Sequence, residues 1–88
     1  MKLAPDDPLG WVLRARISNR LKNWAAAEAD ARRALELASD DPAALLELAY
    51  AQLQQGRAAE ALAHIDRALA SDPKNGLGQL YRAQALEA

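Results

Sequence analysis

The residues of this sequence that could do chemistry are few, and they do not cluster. His64 is the single histidine, and it lies four residues after Glu60, the spacing of an ordinary pair on a helix surface. The chain has no cysteine, which excludes a thiolate nucleophile and a cysteine-bound zinc. The aspartate pairs at 6–7 and 40–41 lack the alternating acidic residues and the glycine of a calcium-binding loop.

The remaining candidates have simpler explanations. Ser18, Ser39 and Ser71 have no base at a spacing that would activate them. The aspartate pairs suit turns and helix N-termini, because a short carboxylate can accept hydrogen bonds from free backbone N–H groups. We therefore predict no catalytic residue, no metal ligand and no cofactor site, and hence no enzymatic activity in this chain.

The composition indicates that helices are the elements that position every side chain. Alanine occurs 22 times and leucine 15 times among 88 residues, whereas threonine and phenylalanine are absent. Alanine and leucine favour helices, and strands favour the β-branched and aromatic residues that this chain mostly lacks. An all-α fold is therefore expected.

Charge and hydropathy exclude two classes of partner. Eleven basic and 12 acidic residues give a net charge of −1, which predicts no basic surface for a nucleic acid. No apolar run approaches the roughly 20 residues that a membrane-spanning helix needs, and no apolar segment of a signal peptide follows Lys2. We expect a soluble chain without membrane insertion, and these features do not distinguish a cytoplasmic from a periplasmic location.

The sequence repeats itself at a regular interval. The hexapeptide LAPDDP begins at Leu3 and LASDDP begins at Leu37, and 37 − 3 = 34. The same shift places Ala27 on Ala61. A fixed period of this length is typical of helical repeat arrays.

Capping residues predict the ends of the helices. Asp-Pro pairs at 7–8 and 41–42 combine an N-cap carboxylate with proline in the first helical turn. Asn23 and Gly56 tolerate the left-handed conformation found at helix C-termini, and Asn75 suits an N-cap. Five helices are expected, arranged as two hairpins and one further helix, at about 8–21, 24–38, 42–55, 58–71 and 76–87.

This pattern resembles the tetratricopeptide repeat, a 34-residue helix–turn–helix. The residues that match the family pattern are Trp11, Ala15, Ala27 and Ala34 in the first period and Leu48, Ala49, Ala61, Ala68 and Pro73 in the second. The resemblance implies antiparallel helical hairpins stacked as a right-handed superhelical solenoid. We expect Arg14, which replaces an apolar residue of the pattern, and Arg82 to pack their stems and extend their guanidinium groups to water or a carboxylate.

We expect a single domain, 1–88, of two and a half repeats. Residues 8–41 and 42–75 form the two full repeats, and residues 76–88 form the first helix of a third repeat or a capping helix. Residues 1–7 are interpreted as the tail of a preceding repeat or as a leader. This organisation suggests a fragment of a longer array, and a small natural protein with a capping last helix fits the same pattern.

The resemblance also implies a binding groove, which the family lines mainly with the first helix of each repeat. The corresponding positions, called here the predicted groove residues, are Leu9, Val12, Arg16, Asn19, Arg20, Ala43, Leu46, Tyr50, Leu53, Gln54, Leu77, Leu80 and Gln84. The family's carboxylate clamp, which grips acidic chaperone tails with lysine and asparagine, is absent, because its sites hold Val12, Arg16, Glu47, Leu77 and Tyr81. Glu47 is expected to repel a carboxylate.

The predicted groove is largely apolar, with Arg16 and Arg20 at one end. This favours a protein or peptide partner that offers an amphipathic helix or an extended apolar segment, with an acidic residue near the arginines. The leading interpretation is a protein–protein interaction scaffold. The alternatives are an accessory domain of a larger enzyme or assembly factor and a self-associating architectural module, and apolar residues of the last helix favour a homodimer. Burial beneath neighbouring repeats or another domain would explain the same apolar positions.

Overall fold

Five α-helices make up the part of the chain that the computed structural model describes, residues 7–87. They are α1 Pro8–Arg20, α2 Trp24–Leu37, α3 Pro42–Gln54, α4 Ala58–Ser71 and α5 Gly76–Glu87, and the described residues contain no β-strand. The all-α prediction is confirmed, and no predicted helix limit differs from the structure by more than one residue. The tail or leader predicted for residues 1–7 lies, except for Asp7, outside the described residues, as does residue 88.

The predicted N-caps form in the structure. Asp7 and Asp41 each accept a hydrogen bond of 3.0 Å from the backbone N–H two residues further on, with proline at the first position of the helix. The side-chain oxygen of Asn75 accepts a 3.0 Å hydrogen bond from the N–H of Gly78. These caps satisfy backbone donors that the first turn of a helix leaves unpaired, so they fix where α1, α3 and α5 begin.

Asn23 lies in the break between α1 and α2, as predicted, but the left-handed residue of that break is Lys22. Lys22 has φ 62° and Gly56 has φ 78°, whereas Asn23 has φ −93° at the N-cap of α2. The repeat period gives the reason, because 56 − 34 = 22 places Lys22 on Gly56. Lysine adopts this conformation at a steric cost that glycine avoids.

Small residues allow the helices of each hairpin to approach closely. Three-residue connections make consecutive helices α1 and α2, and α3 and α4, antiparallel neighbours. The alanines of the repeat pattern are fully buried where these helices cross: Ala15, Ala27, Ala34, Ala49, Ala61 and Ala68. Leu45, Leu48 and Ile65 are the largest apolar side chains buried beside them.

Successive hairpins stack because α3 and α5 each pack on both helices of the hairpin before them. Helix α3 contacts α1 and α2, and α5 contacts α3 and α4. At the second junction, a Cβ built on Gly78 would lie 2.8 Å from Leu69 Cδ2 and 3.6 Å from Leu46 Cδ2. Helix α5 therefore approaches α3 and α4 closely because Gly78 has no side chain.

The charged residues in apolar positions of the repeat pattern find carboxylate partners. Arg14 lies 3.6 Å from Asp30 with its guanidinium over the ring of Trp11, and Arg82 lies 3.0 Å from Asp66. Both arginines remain about half exposed, as their long stems allow. The guanidinium groups of Arg14 and Arg82 thus reach carboxylates, as expected. None of the described helices combines the length and the apolar character needed to cross a bilayer.

Candidate functional site

A cleft of about 240 Å³ is lined by residues of α1, α3 and α5. We call it the cleft throughout. Helix α1 provides one wall with its last turns, and α3 and α5 provide the other walls. The residues that line the cleft are Arg16, Asn19, Arg20, Glu47, Tyr50, Leu77 and Tyr81.

The charges of the cleft are two guanidinium groups and one carboxylate. Arg16 Nε lies 3.2 Å from Glu47 Oε2, and Asn19 Nδ2 donates to both the carbonyl oxygen and Oε1 of Glu47 at 3.1 Å. The Glu47 side chain is 12% exposed, so these contacts fasten α3 to α1. Arg20 is exposed and makes no ion pair or hydrogen bond with another described residue. Glu47 is therefore occupied by α1, and Arg20 leaves the cleft with an uncompensated positive charge.

Two aromatic rings, those of Tyr50 and Tyr81, line the cleft on α3 and α5. The rings of Tyr50 and Tyr81 lie 5.4 Å apart, and Trp24 meets Tyr50 edge-on with centroids 5.8 Å apart. Such tilted and edge-on arrangements stabilise aromatic pairs beyond the area they bury. Burial raises the pKa of Tyr81 above its usual value, and Glu47 and then Tyr50 add to the increase. The Tyr81 hydroxyl stays protonated at neutral pH and can donate a hydrogen bond.

Comparison with known proteins gives the family of the chain. A model of the tetratricopeptide repeat family matches residues 20–76 and, overlapping them, residues 46–88. The two matches together extend over most of the chain. This protein belongs to the tetratricopeptide repeat family. No curated protein and no solved structure matches it closely enough to be compared. Tetratricopeptide repeats typically serve as protein-interaction modules, which is the coarse assignment that the family provides.

The tetratricopeptide period relates the two walls of the cleft to each other. Tyr50 lies one repeat period after Arg16, and Tyr81 lies one repeat period after Glu47. The same two positions thus carry an ion pair between α1 and α3 and an aromatic pair between α3 and α5. Because the cleft is lined by residues of both the α1–α3 contact and the α3–α5 contact, charged and aromatic groups face one cavity.

The structure separates the predicted groove residues into three groups. Arg16, Asn19, Arg20, Tyr50 and Leu77 line the cleft. Val12, Leu46 and, in part, Leu53 and Ala43 pack in the cores between helices. The others are exposed and do not line it: Leu9, Gln54, Leu80 and Gln84.

The burial of Val12 and Leu46 corrects the sequence-based groove. Val12 is 1% exposed and packs with Ala34 and Ala44, and Leu46 is 3% exposed beneath α5. Helical spacing places both on one face with Arg16 or Tyr50, but it does not reveal that the next helix covers that part of the face. Neither side chain is available to a ligand in this structure.

His64 lies away from the cleft, in a second and more open hollow lined partly by Arg32 and Arg67. His64 Nδ1 lies 2.9 Å from Oε1 of the buried Gln52, so this contact links the half-buried ring on α4 to α3. Burial lowers the pKa of His64, and the charges of Arg32 and then Arg67 lower it further. No group of three or more potential metal ligands occurs within residues 7–87.

Proposed function

We propose that this tetratricopeptide repeat chain is a non-catalytic protein–protein interaction scaffold that binds a segment of a partner protein in the cleft. The observation that carries the proposal is the arrangement of the cleft walls. Two arginines, a pair of stacked tyrosine rings and the exposed apolar side chain of Leu77 line one cavity. Aromatic and arginine side chains are the residue types that most often dominate protein interfaces.

The size of the cleft favours a protein segment over a small molecule. Pockets for drug-sized ligands span roughly 300–1,000 Å³, and the cleft holds about 240 Å³. One water molecule occupies about 30 Å³ in the liquid, so the cleft has room for one or two side chains. A partner segment can place its anchoring side chains there while the rest of its chain follows the surface.

The chemistry of the walls favours a segment that is partly apolar and partly acidic. Leu77 and the two tyrosines offer apolar and aromatic surface, and the arginines of α1 offer charge at one end. An amphipathic helix or an extended segment with an acidic residue beside apolar residues fits this distribution. Because Glu47 is engaged by Arg16 and Asn19, it opposes a bound carboxylate less than its charge alone suggests.

A peptide selection tests this proposal. Random dodecapeptides are displayed, selected on the whole chain and measured by fluorescence anisotropy. Leu77→Glu places a charge on the cleft wall, and Leu86→Glu places the same charge on a comparably exposed position of α5 outside the cleft. Selected peptides should lose binding with Leu77→Glu and keep it with Leu86→Glu. Equal binding to both variants, or no enrichment at all, would contradict the proposal.

We also propose self-association as a second function, on the evidence of Leu80 in α5. Leu80 lies one repeat period after Leu46, yet Leu46 is 3% exposed and Leu80 is 52% exposed. Ala83 is exposed too, whereas Ala15 and Ala49 at the same repeat position are buried. A second copy that covers this face would form a homodimer. Light scattering should then give a concentration-dependent mass above 9.5 kDa, and Leu80→Glu should abolish it. A constant monomer mass would exclude this.

A further inference from the structure

We infer that Arg20 selects the partner by pairing with an acidic side chain of the segment bound in the cleft. This inference rests on the proposed function and specifies the ligand of the same site. The occupant is a segment that carries an aspartate or glutamate beside an apolar residue. The acidic group is an internal side chain of that segment.

The distribution of charge between the two arginines supports a special role for Arg20. Both guanidinium groups lie on the last turns of α1, four residues apart, and only one carboxylate lines the cleft with them. That carboxylate, Glu47, is 3.2 Å from Arg16 Nε and accepts from Asn19 as well. Arg20 has no such partner among the described residues. A carboxylate that enters the cleft therefore finds Arg20 free and Arg16 already neutralised.

Asn19, which precedes Arg20 in α1, has a side-chain oxygen without a hydrogen-bond partner. Both donors of the Asn19 amide face acceptors of Glu47, at 3.1 Å each, which fixes the orientation of the amide. Asn19 Oδ1 is consequently a buried acceptor without a hydrogen-bond partner, the single such side-chain atom found in residues 7–87. A buried polar atom without a partner is unfavourable. Both amide donors of Asn19 are committed to Glu47, so Arg20 is the charged donor of the cleft that is left for a partner.

The side-chain carboxylate of the bound segment would pair with Arg20. The adjacent apolar residue of the segment would then lie against Tyr50, Tyr81 and Leu77, which line the same cavity.

The same peptide selection, run with two arginine variants, tests the inference. The library holds its random dodecapeptide between fixed flanks, so that no peptide presents a free terminal carboxylate within the random segment. The selection is carried out on the wild-type chain, on Arg20→Gln, and on Arg82→Gln as a control at a comparably exposed arginine outside the cleft. Thermal melts verify that all three chains are folded.

The expected result is an enrichment of aspartate and glutamate at one position with the wild type and the Arg82→Gln control, and its loss with Arg20→Gln. Replacing that acidic residue by its amide in one selected peptide should weaken binding about tenfold to the wild type, as expected for a charge-assisted hydrogen bond. The same replacement should have little effect on binding to Arg20→Gln.

Two results would overturn the inference, and they separate it from the proposed function. Peptides that depend on Leu77 but show no acidic preference, or that bind Arg20→Gln equally well, would refute the role of Arg20 and leave the cleft as the binding site. If no selected peptide depends on Leu77, the proposed function fails and the role of Arg20 fails with it.

Discussion

Replacing Ala61 by leucine tests whether the second hairpin is close-packed where its helices cross. Ala61 is fully buried in α4 and belongs to a core cluster with Leu45, Ala49 and Ile65. Leucine would add three carbon atoms at a position that solvent does not reach. Protein interiors are packed like organic crystals, so neighbouring side chains would have to leave their preferred rotamers. Overpacking of this kind costs about 1–3 kcal/mol of unfolding free energy.

The size of the effect can be measured against a matched control. Ala63 lies on the same helix and is exposed, and leucine and alanine have similar helix propensities. Ala63→Leu should therefore change the unfolding free energy by no more than about 0.5 kcal/mol. In a domain of this size, 1 kcal/mol shifts Tm by about 4–8 °C. Ala61→Leu should melt roughly 4–24 °C below the wild type, as followed by the helical circular dichroism signal.

The difference in Tm between Ala61→Leu and Ala63→Leu tests whether the crossing of α3 and α4 is close-packed. If Ala61→Leu melts at the same temperature as Ala63→Leu, the crossing of α3 and α4 has room for three more carbon atoms, and the close-packing argument is refuted. Ala27→Leu should repeat the loss in the first hairpin, since Ala27 is the fully buried residue one period earlier.

Three further predictions concern turns and titrating groups. Lys22 and Gly56 both have positive φ, a conformation that is unfavourable for a residue with a side chain. Lys22→Gly should therefore raise the unfolding free energy by about 1 kcal/mol, and Gly56→Ala should lower it by about the same amount. Urea unfolding measures both changes. Burial acts to raise the pKa of Glu28, but hydrogen bonds from Gln55, Arg57 and Arg32 outweigh it and lower the pKa. Stability should therefore fall as acid protonates this group, and Glu28→Gln should flatten that acid limb. Because the pKa of His64 is lowered, stability should decrease as the pH falls below about 6.5, the ordinary histidine value; His64→Gln should remove this slope, and NMR titration should place the pKa below that value.

The sequence predicts the helices well because their signals are local. Each N-cap depends on residues within one helical turn: an aspartate directly before a proline caps α1 and α3, and an asparagine that accepts from the N–H three residues later caps α5. The left-handed turn at Lys22 escaped this reasoning because residue type alone favoured Asn23. The repeat register identifies the correct position, since the structure of the second turn repeats that of the first. The division into repeats at 8–41 and 42–75 stays a prediction.

The site is less predictable because it depends on contacts between helices. The repeat pattern predicts which residues share a face of one helix, and it correctly places Arg16, Asn19 and Arg20 at the cleft. It does not predict which part of that face another helix covers. Val12 packs against α3 and Leu46 packs against α5. From the sequence, Glu47 is expected to repel a carboxylate. In the structure it is engaged by Arg16 and Asn19, and these partners could not be foreseen because they lie on a different helix, 31 and 28 residues away in the chain. The aromatic stack was missed because Tyr50 and Tyr81 lie on different helices, and only the packing of α5 on α3 brings their rings together.

The contrast between the Arg16–Glu47 pair and the Tyr50–Tyr81 pair has a consequence for how such an array can be built or rearranged. Each junction has its own pair: the basic residue of α1 matches the acid of α3, and the aromatic residue of α3 matches that of α5. Exchanging the hairpins would set Tyr50 free of its aromatic neighbour and leave Glu47 without Arg16. The side chains at positions 16 and 50 and at positions 47 and 81 therefore favour one order of the two hairpins over the reverse.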